Sequence, residues 1–293
     1  MVGFKSDLIV VGFVRTTAKF MNSILLKSLS GFNNTPKMPV LFLGHGSPMN
    51  AIEENQFVQG FRNVSQEIKR PNAILCVSAH WETRGTKVTA MSHPPTIHDF
   101  GGFSRELFAV QYPAPGSPAL ATAAKDLVTS ADIHLDDQWG LDHGAWSVIK
   151  HLYPDANVPV IQLSLDYLQK PQFHYDLARE LSDLREKGVL IVGSGNMIHN
   201  LRMVSWSHLN RNFGYDWALE ANQKMRELIL DGNHQSLINY SRQGRSFELS
   251  IPTPEHYLPL LYTLALQQKG EDVILFNDQP VGGSLSMTSV KIG

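Results

Sequence analysis

Short apolar segments that end in glycine or histidine are the feature of this sequence that most restricts its fold. Residues 40–43 run into a Gly-His45-Gly turn, and residues 73–78 are followed closely by His80. Apolar runs of this length, bounded by turn-forming residues, are typical of buried strands. They alternate with segments that carry apolar residues at helical spacing, the first of which is residues 54–69. This alternation predicts a single α/β domain with a mostly parallel central sheet flanked by helices.

The size and charge of the chain exclude several classes of function. Its 293 residues suffice for one large domain, and 25 Lys and Arg residues nearly balance 27 Asp and Glu residues. Without an excess of positive charge, the protein is not expected to bind nucleic acid or an anionic membrane. Cys76 is the single cysteine, so an internal disulfide is impossible. We therefore expect a buried structural thiol in a cytoplasmic protein.

Residues 1–37 differ from the rest of the sequence, and the domain is predicted to span residues 38–293. The apolar segment at residues 8–14 is too short to cross a bilayer, and basic residues are scattered around it. A targeting leader is one interpretation, but no small-residue cleavage site stands out. The interpretation that we favour is an N-terminal extension that is not part of the domain.

Three histidines come just after predicted strands. His45 and His80 follow the first two strands, and His199 follows the strand at residues 189–192 after a Gly-Ser-Gly turn. Ligands of open α/β sheets gather at the carboxyl ends of the strands, so we expect a metal site at that edge. Glu255-His256, where a helix is predicted to begin, adds a carboxylate and an imidazole. Because the sequence has no C-x-x-C pair, the donors would be nitrogen and oxygen, which suit Fe(II), Zn or Mn.

The turn Gly193–Gly195 suggests two other functions, and both lack a required residue. A dinucleotide-binding loop needs a third glycine at the position of Ile198. A nucleophilic role for Ser194 would need the G-x-S-x-G motif, which is absent from the sequence. The turn is therefore expected to serve as a tight connection that carries His199 into place.

Seven motifs, in matching order along the chain, resemble the class III extradiol ring-cleaving dioxygenase family, and in particular its bacterial DOPA 4,5-extradiol dioxygenase type. They are Leu43–Met49, Ser78–Trp81, Pro95–Gly102, Tyr112–Pro118, Asp142–Trp146, Ser194–Leu201 and Pro252–Leu260. The resemblance covers residue 38 to the end of the sequence. It implies a single α/β domain with a mononuclear non-haem metal site near the carboxyl edge of the sheet.

The activity that the resemblance implies is oxidative opening of an aromatic ring. The enzyme would cleave a catechol such as DOPA with O2, beside its two hydroxyl groups, to give a muconic semialdehyde of the seco-DOPA type. Fe(II) is the metal expected for activity, and Zn is a possible occupant of the purified protein. The expected partners are the small catechol and O2, and the expected state is a monomer or a small homo-oligomer.

The resemblance also implies roles for the metal-site residues, carried over by motif. His45 and His80 would be metal ligands and His256 the third, with Glu255 as the fallback for that third position. His199 would act as acid and base near the metal, and it would reach the metal when substrate is absent. An imidazole suits that role because its pKa lies near neutral pH.

A second group of residues is expected to line the substrate pocket. His98 and His143 match pocket positions of the family, and His143 is also expected to be catalytic. Trp81 is expected to pack against the substrate ring, as are Phe100, Phe103 and Trp146, with ordinary core packing as the alternative for each. Two alternative functions remain open: a zinc-dependent hydrolase that uses His199 as its base, and a non-catalytic binding protein on the same fold.

Overall fold

A large sheet forms the centre of the computed structural model, which describes residue 29 and residues 31–33, 35–209 and 211–293. The strands, in chain order, are β1 (Val40–Gly44), β2 (Ala73–Thr83), β3 (Thr86–Thr89), β4 (Ile133–Asp136), β5 (Val160–Asp166), β6 (Val189–Gly195), β7 (Val273–Phe276), β8 (Pro280–Val281), β9 (Leu285–Ser286) and β10 (Ser289–Ile292). Eight of them form the large sheet in the order β4-β3-β5-β2-β6-β1-β10-β7, and β8 pairs with β9 separately. The central strands β5, β2, β6 and β1 are parallel to one another.

Helices cover both faces of this sheet. The α-helices are α1 (Gln56–Glu67), α2 (Arg105–Phe108), α3 (Pro118–Leu127), α4 (His143–Leu152), α5 (Pro171–Glu180), α6 (Asp216–Leu230), α7 (His234–Ile238), α8 (Arg245–Ser250) and α9 (Leu258–Ala265). Short 3-10 helices span Pro48–Ala51, Ser182–Lys187, Leu201–Met203, Trp206–His208 and Tyr240–Arg242. The predicted fold class, an α/β domain with a mostly parallel sheet flanked by helices, is confirmed.

The residues of β1 show that the large sheet separates two hydrophobic core clusters, one on each face. Val40 and Phe42 pack in a core cluster with apolar residues of α3, α5, α6 and α9. Leu41 and Leu43 pack on the other face, with residues of α1 and α4. Successive side chains of a strand point to opposite faces, so a strand covered on both sides is apolar throughout. This explains why the central strands are continuous apolar runs in the sequence.

Local hydrogen bonds explain where two helices begin. Helix α4 starts at His143, because the Asp142 side chain accepts a hydrogen bond from the Ala145 backbone nitrogen and caps the first turn. Helix α9 starts at Leu258 rather than at Glu255-His256, where it was predicted to begin. The Thr253 hydroxyl donates to Glu255 Oε1 at 2.9 Å instead of capping a helix, and residues 255–257 form a turn.

Most of the predicted extension, residues 1–37, lies outside the described residues. Of its described residues, Leu29 is buried in the core cluster of β1 and α9, and Lys37 pairs with Glu271 at 2.7 Å. The domain boundary stays a prediction. Within the part of the chain that the structure describes, no helix is long and apolar enough to cross a membrane.

A buried ion pair joins β6 to the C-terminal region. The Arg185 guanidinium, which is fully buried just before β6, contacts Glu271 Oε1 at 2.6 Å and Oε2 at 3.0 Å. It also donates to the carbonyl oxygens of Met38 and Leu266. Burial disfavours the charged carboxylate, but hydrogen bonds from Arg185 and Lys37 outweigh this effect and lower the pKa of Glu271 to about 2.

We expect Glu271→Gln to lower the free energy of unfolding at pH 7 by about 3 kcal/mol, because it leaves the Arg185 charge buried without its partner. The folded pKa of Glu271 lies below its ordinary value of 4.5. The stabilisation is therefore full above that ordinary value and is lost as the pH falls toward 2. Urea denaturation of wild type and variant at pH 7 and pH 3 measures both effects.

The matched control is Glu248→Gln, which removes an exposed ion pair with Arg245. Exposed pairs contribute about 0–1 kcal/mol, so this change should be small at both pH values. A stability difference for Glu271→Gln that stays equal at pH 7 and pH 3 would contradict the proposed role of its charge.

Candidate metal centre and active site

The topology of the sheet brings three histidines to one edge. β2, β6 and β1 are adjacent and parallel, so their carboxyl ends lie side by side. His45 follows β1 directly, and its backbone nitrogen donates to the Gly195 carbonyl at the end of β6. His199 lies four residues beyond β6, and its backbone nitrogen donates to the Ser250 carbonyl at 2.9 Å. The chain folds here so that both imidazoles reach the same edge.

His80 lies inside β2, in an irregular part of the strand. Val77 pairs with Leu163 of β5, and Glu82 pairs with Leu165, so β2 has three extra residues between these pairs. Such a bulge redirects side chains, and this one directs His80 toward the cluster. The sequence prediction ended this strand at residue 78, whereas the strand continues to Thr83. His80, Glu82 and Thr83 are not apolar, so hydrophobicity alone could not indicate the continuation.

His256 approaches from the turn before α9. Its carbonyl oxygen accepts a hydrogen bond from the Asn196 backbone nitrogen at 2.8 Å. A Cβ atom at Gly195 would lie 2.2 Å from the same carbonyl oxygen, so only glycine allows this close approach. His45, His80 and His256 then present candidate ligand atoms that all lie within 4.8 Å of one another. His45 Nε2 and His80 Nε2 are 3.3 Å apart.

Hydrogen bonds to Nδ1 select the tautomers of His45 and His256. Ser194 Oγ donates to the Gly144 carbonyl at 2.5 Å, so it can only accept from His45 Nδ1, 3.0 Å away. His256 Nδ1 is 3.0 Å from Glu255 Oε1, and a carboxylate only accepts. Both histidines therefore carry a proton on Nδ1. The lone pair of each Nε2 is left free for a metal ion, the usual arrangement at such sites.

Burial keeps the three imidazoles neutral. Desolvation, reinforced by the neighbouring histidines, lowers the pKa of His45 and of His256 well below the ordinary value. The same two causes lower the pKa of His80 to about 3, with Asp99 opposing them. Neutral imidazoles are the ligand form, so this donor set fits a divalent transition metal such as Fe(II) or Zn.

His199 and Glu255 both contact His256. The His199 ring stacks on the His256 ring with centroids 3.5 Å apart and planes inclined by 8°. Burial lowers the pKa of His199 to about 4, with the Glu255 charge opposing this effect. Glu255 contacts His256 Nδ1 and the Thr253 hydroxyl. It does not belong to the group of His45, His80 and His256, but it groups with His199 and His256.

His143 is held by Asp99, a residue of the long loop between β3 and α2. Asp99 Oδ1 accepts from the His143 backbone nitrogen at 2.8 Å, and Oδ2 accepts from His143 Nδ1 at 2.9 Å. Oδ2 also lies 3.5 Å from His80 Nδ1. One carboxylate therefore touches the second ring nitrogen of two neighbouring imidazoles, whose centroids are 3.8 Å apart.

A cavity of about 560 Å³ adjoins these side chains. Five histidines line it: His45, His80, His143, His199 and His256. A set of apolar side chains also lines the cavity, and we call it the apolar wall: Phe100, Phe103, Leu201, Trp206, Leu209 and Leu285. The structure thus combines histidines from five separate parts of the chain with a mostly apolar space large enough for a small aromatic molecule.

Three residues predicted to bind substrate do not line this cavity. Trp81 is buried and stacks on Trp139 with centroids 5.8 Å apart. The His98 ring nitrogen Nε2 lies 2.9 Å from the Val110 carbonyl, and the ring packs against Trp146, which is itself buried. Their contact with substrate stays a prediction that the cavity geometry does not favour.

Sequence reasoning missed two residues that hold the histidines. Asp99 directly follows His98 in the sequence, and an acid among aromatic residues of a long loop was the available signal. Ser194 was considered only as a nucleophile, although its hydroxyl contacts His45. Its partners are 149 and 50 residues away in the chain, a separation that sequence spacing does not reveal.

Comparison with known proteins gives the family. A model of the catalytic LigB subunit of aromatic ring-opening dioxygenases matches residues 38–274. The chain belongs to this family. The match begins at the residue where the domain was predicted to start, and it confirms the resemblance to class III extradiol dioxygenases.

Named relatives and a solved structure agree with the LigB family. The chain is 46% identical to the 4,5-DOPA dioxygenase extradiol of Escherichia coli (strain K12), over 89% of this chain and 96% of that one. It is 33% identical to the protein of the same name from Beta vulgaris, over 85% and 94% of the two chains. A crystal structure of an uncharacterized protein from Escherichia coli K12 matches with a TM-score of 0.76 and 41% identity, covering 87% of this chain and 100% of the other.

Family membership decides between the alternatives left open by the sequence. LigB proteins are aromatic ring-opening dioxygenases, so this chain is an oxidoreductase of that class. Neither the zinc-dependent hydrolase nor the non-catalytic binding protein is favoured by any feature of the site. A metal is typical of the family, and the histidine cluster offers a fitting set of donors.

We expect Ser194→Ala to weaken metal binding by about 10- to 100-fold, because His45 Nδ1 loses the acceptor that selects its tautomer. Anaerobic titration with Fe(II) against a competing chelator measures the affinity. The matched control is Ser147→Ala in α4, since the buried Ser147 hydroxyl has no hydrogen-bond partner among the described residues. Equal affinity in both variants would argue against a role for Ser194 in orienting His45.

Proposed function

We propose that this enzyme opens the ring of a catechol with O2, beside the two hydroxyl groups, to give a muconic semialdehyde. The observation that carries the proposal is the convergence of His45, His80 and His256 in the lining of a mostly apolar cavity. DOPA is the first substrate to test, because relatives carry its name, and its product would be a seco-DOPA able to cyclise.

In this proposal His45, His80 and His256 hold one divalent metal ion, which is Fe(II) in the active enzyme and Zn in some purified samples. When bound, Fe(II) would supply open positions for both catechol oxygens and for O2, and it would lower the pKa of a bound hydroxyl. The protein contributes three neutral donors. It also leaves the cavity side of the site free, as a catalytic site requires.

His199 acts as the acid and base in this scheme. Its ring lines the cavity next to His256, and its buried, neutral imidazole can accept the proton of a catechol hydroxyl. The nearby Glu255 charge favours the protonated ring that results. The nitrogen of His199 that accepts this proton then returns it at a later step. His199 would contact the metal only when substrate is absent.

His143 positions the substrate and assists in catalysis. Its Nδ1 is occupied by Asp99, so Nε2 is the nitrogen available to a molecule in the cavity. The edge-to-face contact with Phe100, at a centroid distance of 5.4 Å, limits movement of the ring. We assign His143 a hydrogen bond to the substrate and Phe100 an aromatic contact with its ring.

The proposal also covers the partners, the location and the oligomeric state of the enzyme, and its N-terminal residues. A small catechol and O2 are its partners, and a cytoplasmic location fits the single, buried Cys76. A monomer or small homo-oligomer remains the expected state, and residues 1–37 are proposed to form an extension outside the catalytic domain.

The test is anaerobic reconstitution of the full chain with Fe(II), followed by addition of DOPA and a known amount of O2. We expect one O2 consumed per DOPA, with a yellow product that absorbs in the visible range. The metal-free and Zn-loaded proteins are the controls and should consume none. Absence of O2 uptake with DOPA and with every other catechol would refute the proposed reaction.

A further inference from the structure

The loop segment that carries Asp99 is held firmly against the start of α4. The Ile97 backbone nitrogen donates to the Leu141 carbonyl at 2.7 Å, and the Leu141 backbone nitrogen donates to the Pro95 carbonyl at 2.8 Å. Trp146 of α4 adds a third bond, from its indole nitrogen to the Ile97 carbonyl at 2.8 Å. Asp99 therefore has a defined position relative to the first residue of α4, although it lies in a loop.

The two carboxylate oxygens of Asp99 have different partners. Oδ1 accepts from the His143 backbone nitrogen at 2.8 Å. Oδ2 faces two imidazoles, since it lies 2.9 Å from His143 Nδ1 and 3.5 Å from His80 Nδ1. A carboxylate only accepts, so His143 carries its proton on Nδ1, and its Nε2 is left as a hydrogen-bond acceptor.

The same oxygen bears on the tautomer of His80. Its negative charge, close to His80 Nδ1, favours a proton on that nitrogen. His80 Nε2, which is 3.3 Å from His45 Nε2, then keeps its lone pair free for a metal ion. Asp99 thus has the relation to His80 that Ser194 has to His45 and Glu255 has to His256.

A purely structural role for Asp99 makes a different prediction. Helix α4 already has a capping side chain, because Asp142 accepts from the Ala145 backbone nitrogen. The only backbone group that Asp99 contacts in α4 is the His143 nitrogen. The amide oxygen of an asparagine would accept that bond equally well. If Asp99 served only the helix, an asparagine in its place would therefore be neutral.

We propose that Asp99 is a positioning residue for both halves of the site. Through His80 it orients a metal ligand, and through His143 it presents a hydrogen-bond acceptor to a catechol hydroxyl group. The His143 half rests on the ring-opening function proposed above, whereas the His80 half concerns the metal alone. Loss of this carboxylate should then weaken metal binding and catechol binding by two separate routes.

Asp99→Asn tests the proposal with little change of shape. The His143 backbone nitrogen still needs an acceptor, so the amide oxygen takes the place of Oδ1. The amide NH2 group then faces both rings in the place of Oδ2, and the proton of His143 moves to Nε2. We expect affinity for Fe(II), measured anaerobically against a chelator, to fall about 10- to 100-fold. The Kd of DOPA, measured by calorimetry with Zn-saturated protein, should rise at least about fivefold.

Asp136→Asn is the matched control. The Asp136 carboxylate also accepts from two backbone nitrogens, those of Gln138 and Trp139, and its other oxygen pairs with Lys87. It does not line the cavity, so this variant should keep the metal affinity and the Kd of the wild type. Equal values for Asp99→Asn and Asp136→Asn would overturn the proposal. Circular dichroism of both variants checks that the fold is retained.

Nitrogen-15 NMR of Zn-loaded protein labelled at histidine reads the tautomer directly. The signals of His143 are assigned by their loss in His143→Ala. They should show the proton on Nδ1 in the wild type and on Nε2 in Asp99→Asn. A wild-type His143 that carries its proton on Nε2 would overturn the proposal, and this result does not require that Asp99→Asn folds.

A double-mutant cycle separates the two routes. In the His143→Ala background, Asp99→Asn should still lower the metal affinity, because that effect passes through His80. It should no longer change the Kd of DOPA, because that effect passes through His143. An undiminished rise in this Kd, or a lost effect on the metal, would contradict the corresponding route. Wild-type protein that binds no catechol would instead count against the ring-opening function, since the metal titration and the NMR spectra test Asp99 without substrate.

Discussion

Replacing His256 by alanine is expected to lower the affinity for Fe(II) by at least about 100-fold and to abolish O2 uptake with a catechol. The reason is geometric, since the free Nε2 of His256 completes the group formed with His45 and His80. Competition between the protein and a chelator of known affinity, under anaerobic conditions, measures the loss.

Glu255→Gln is the matched variant, because Glu255 was the alternative third ligand. The glutamine amide oxygen can still accept from His256 Nδ1, so metal affinity should fall by about tenfold or less. If Glu255→Gln lost the metal while His256→Ala retained it, the carboxylate would be the ligand. Circular dichroism of both variants checks that the fold is retained.

Replacing His199 by alanine is expected to lower kcat by about 10²- to 10⁴-fold while the metal stays bound. His199 stacks on His256 and lines the cavity, but the three converging donors are provided by other residues. Metal content after gel filtration and single-turnover rates of DOPA consumption are measured on the same sample. Wild-type metal content with a large fall in rate is the expected combination.

His134→Ala is a suitable control for His199→Ala, since His134 is an exposed residue of β4 and does not line the cavity. The His134→Ala variant should retain the wild-type metal content and the wild-type rate of DOPA consumption. Loss of metal from His199→Ala, with the fold intact, would make His199 a required ligand and would remove the assignment as acid and base.

The position of the histidine cluster was predictable because it depends on regular features of the chain. His45 and His199 come just after strands that are apolar throughout, and parallel strands end at a common edge. What could not be predicted is the direction in which each ring points. His80 depends on a bulge in β2, and the bulge is defined by pairing with β5, about 80 residues away in the sequence.

The aromatic residues show where sequence alone does not give the direction of a side chain. His80 and Trp81 are adjacent in the irregular part of β2, and His80 lines the cavity whereas Trp81 stacks on Trp139. Phe100 and Phe103 lie in a loop without regular alternation, and both line the cavity. Which of these aromatic rings face the cavity therefore depends on the three-dimensional fold.

The hydrogen bonds that run from His45 through Ser194 to the Gly144 carbonyl have a further consequence for how the site is filled. His45 Nδ1 donates to Ser194 Oγ, and Ser194 Oγ donates to the Gly144 carbonyl. Neither hydrogen bond involves the metal. The ring of His45 is therefore oriented before any ion arrives, and little conformational entropy remains to be lost on loading. We therefore expect this part of the site to be formed in the folded protein before an ion is loaded.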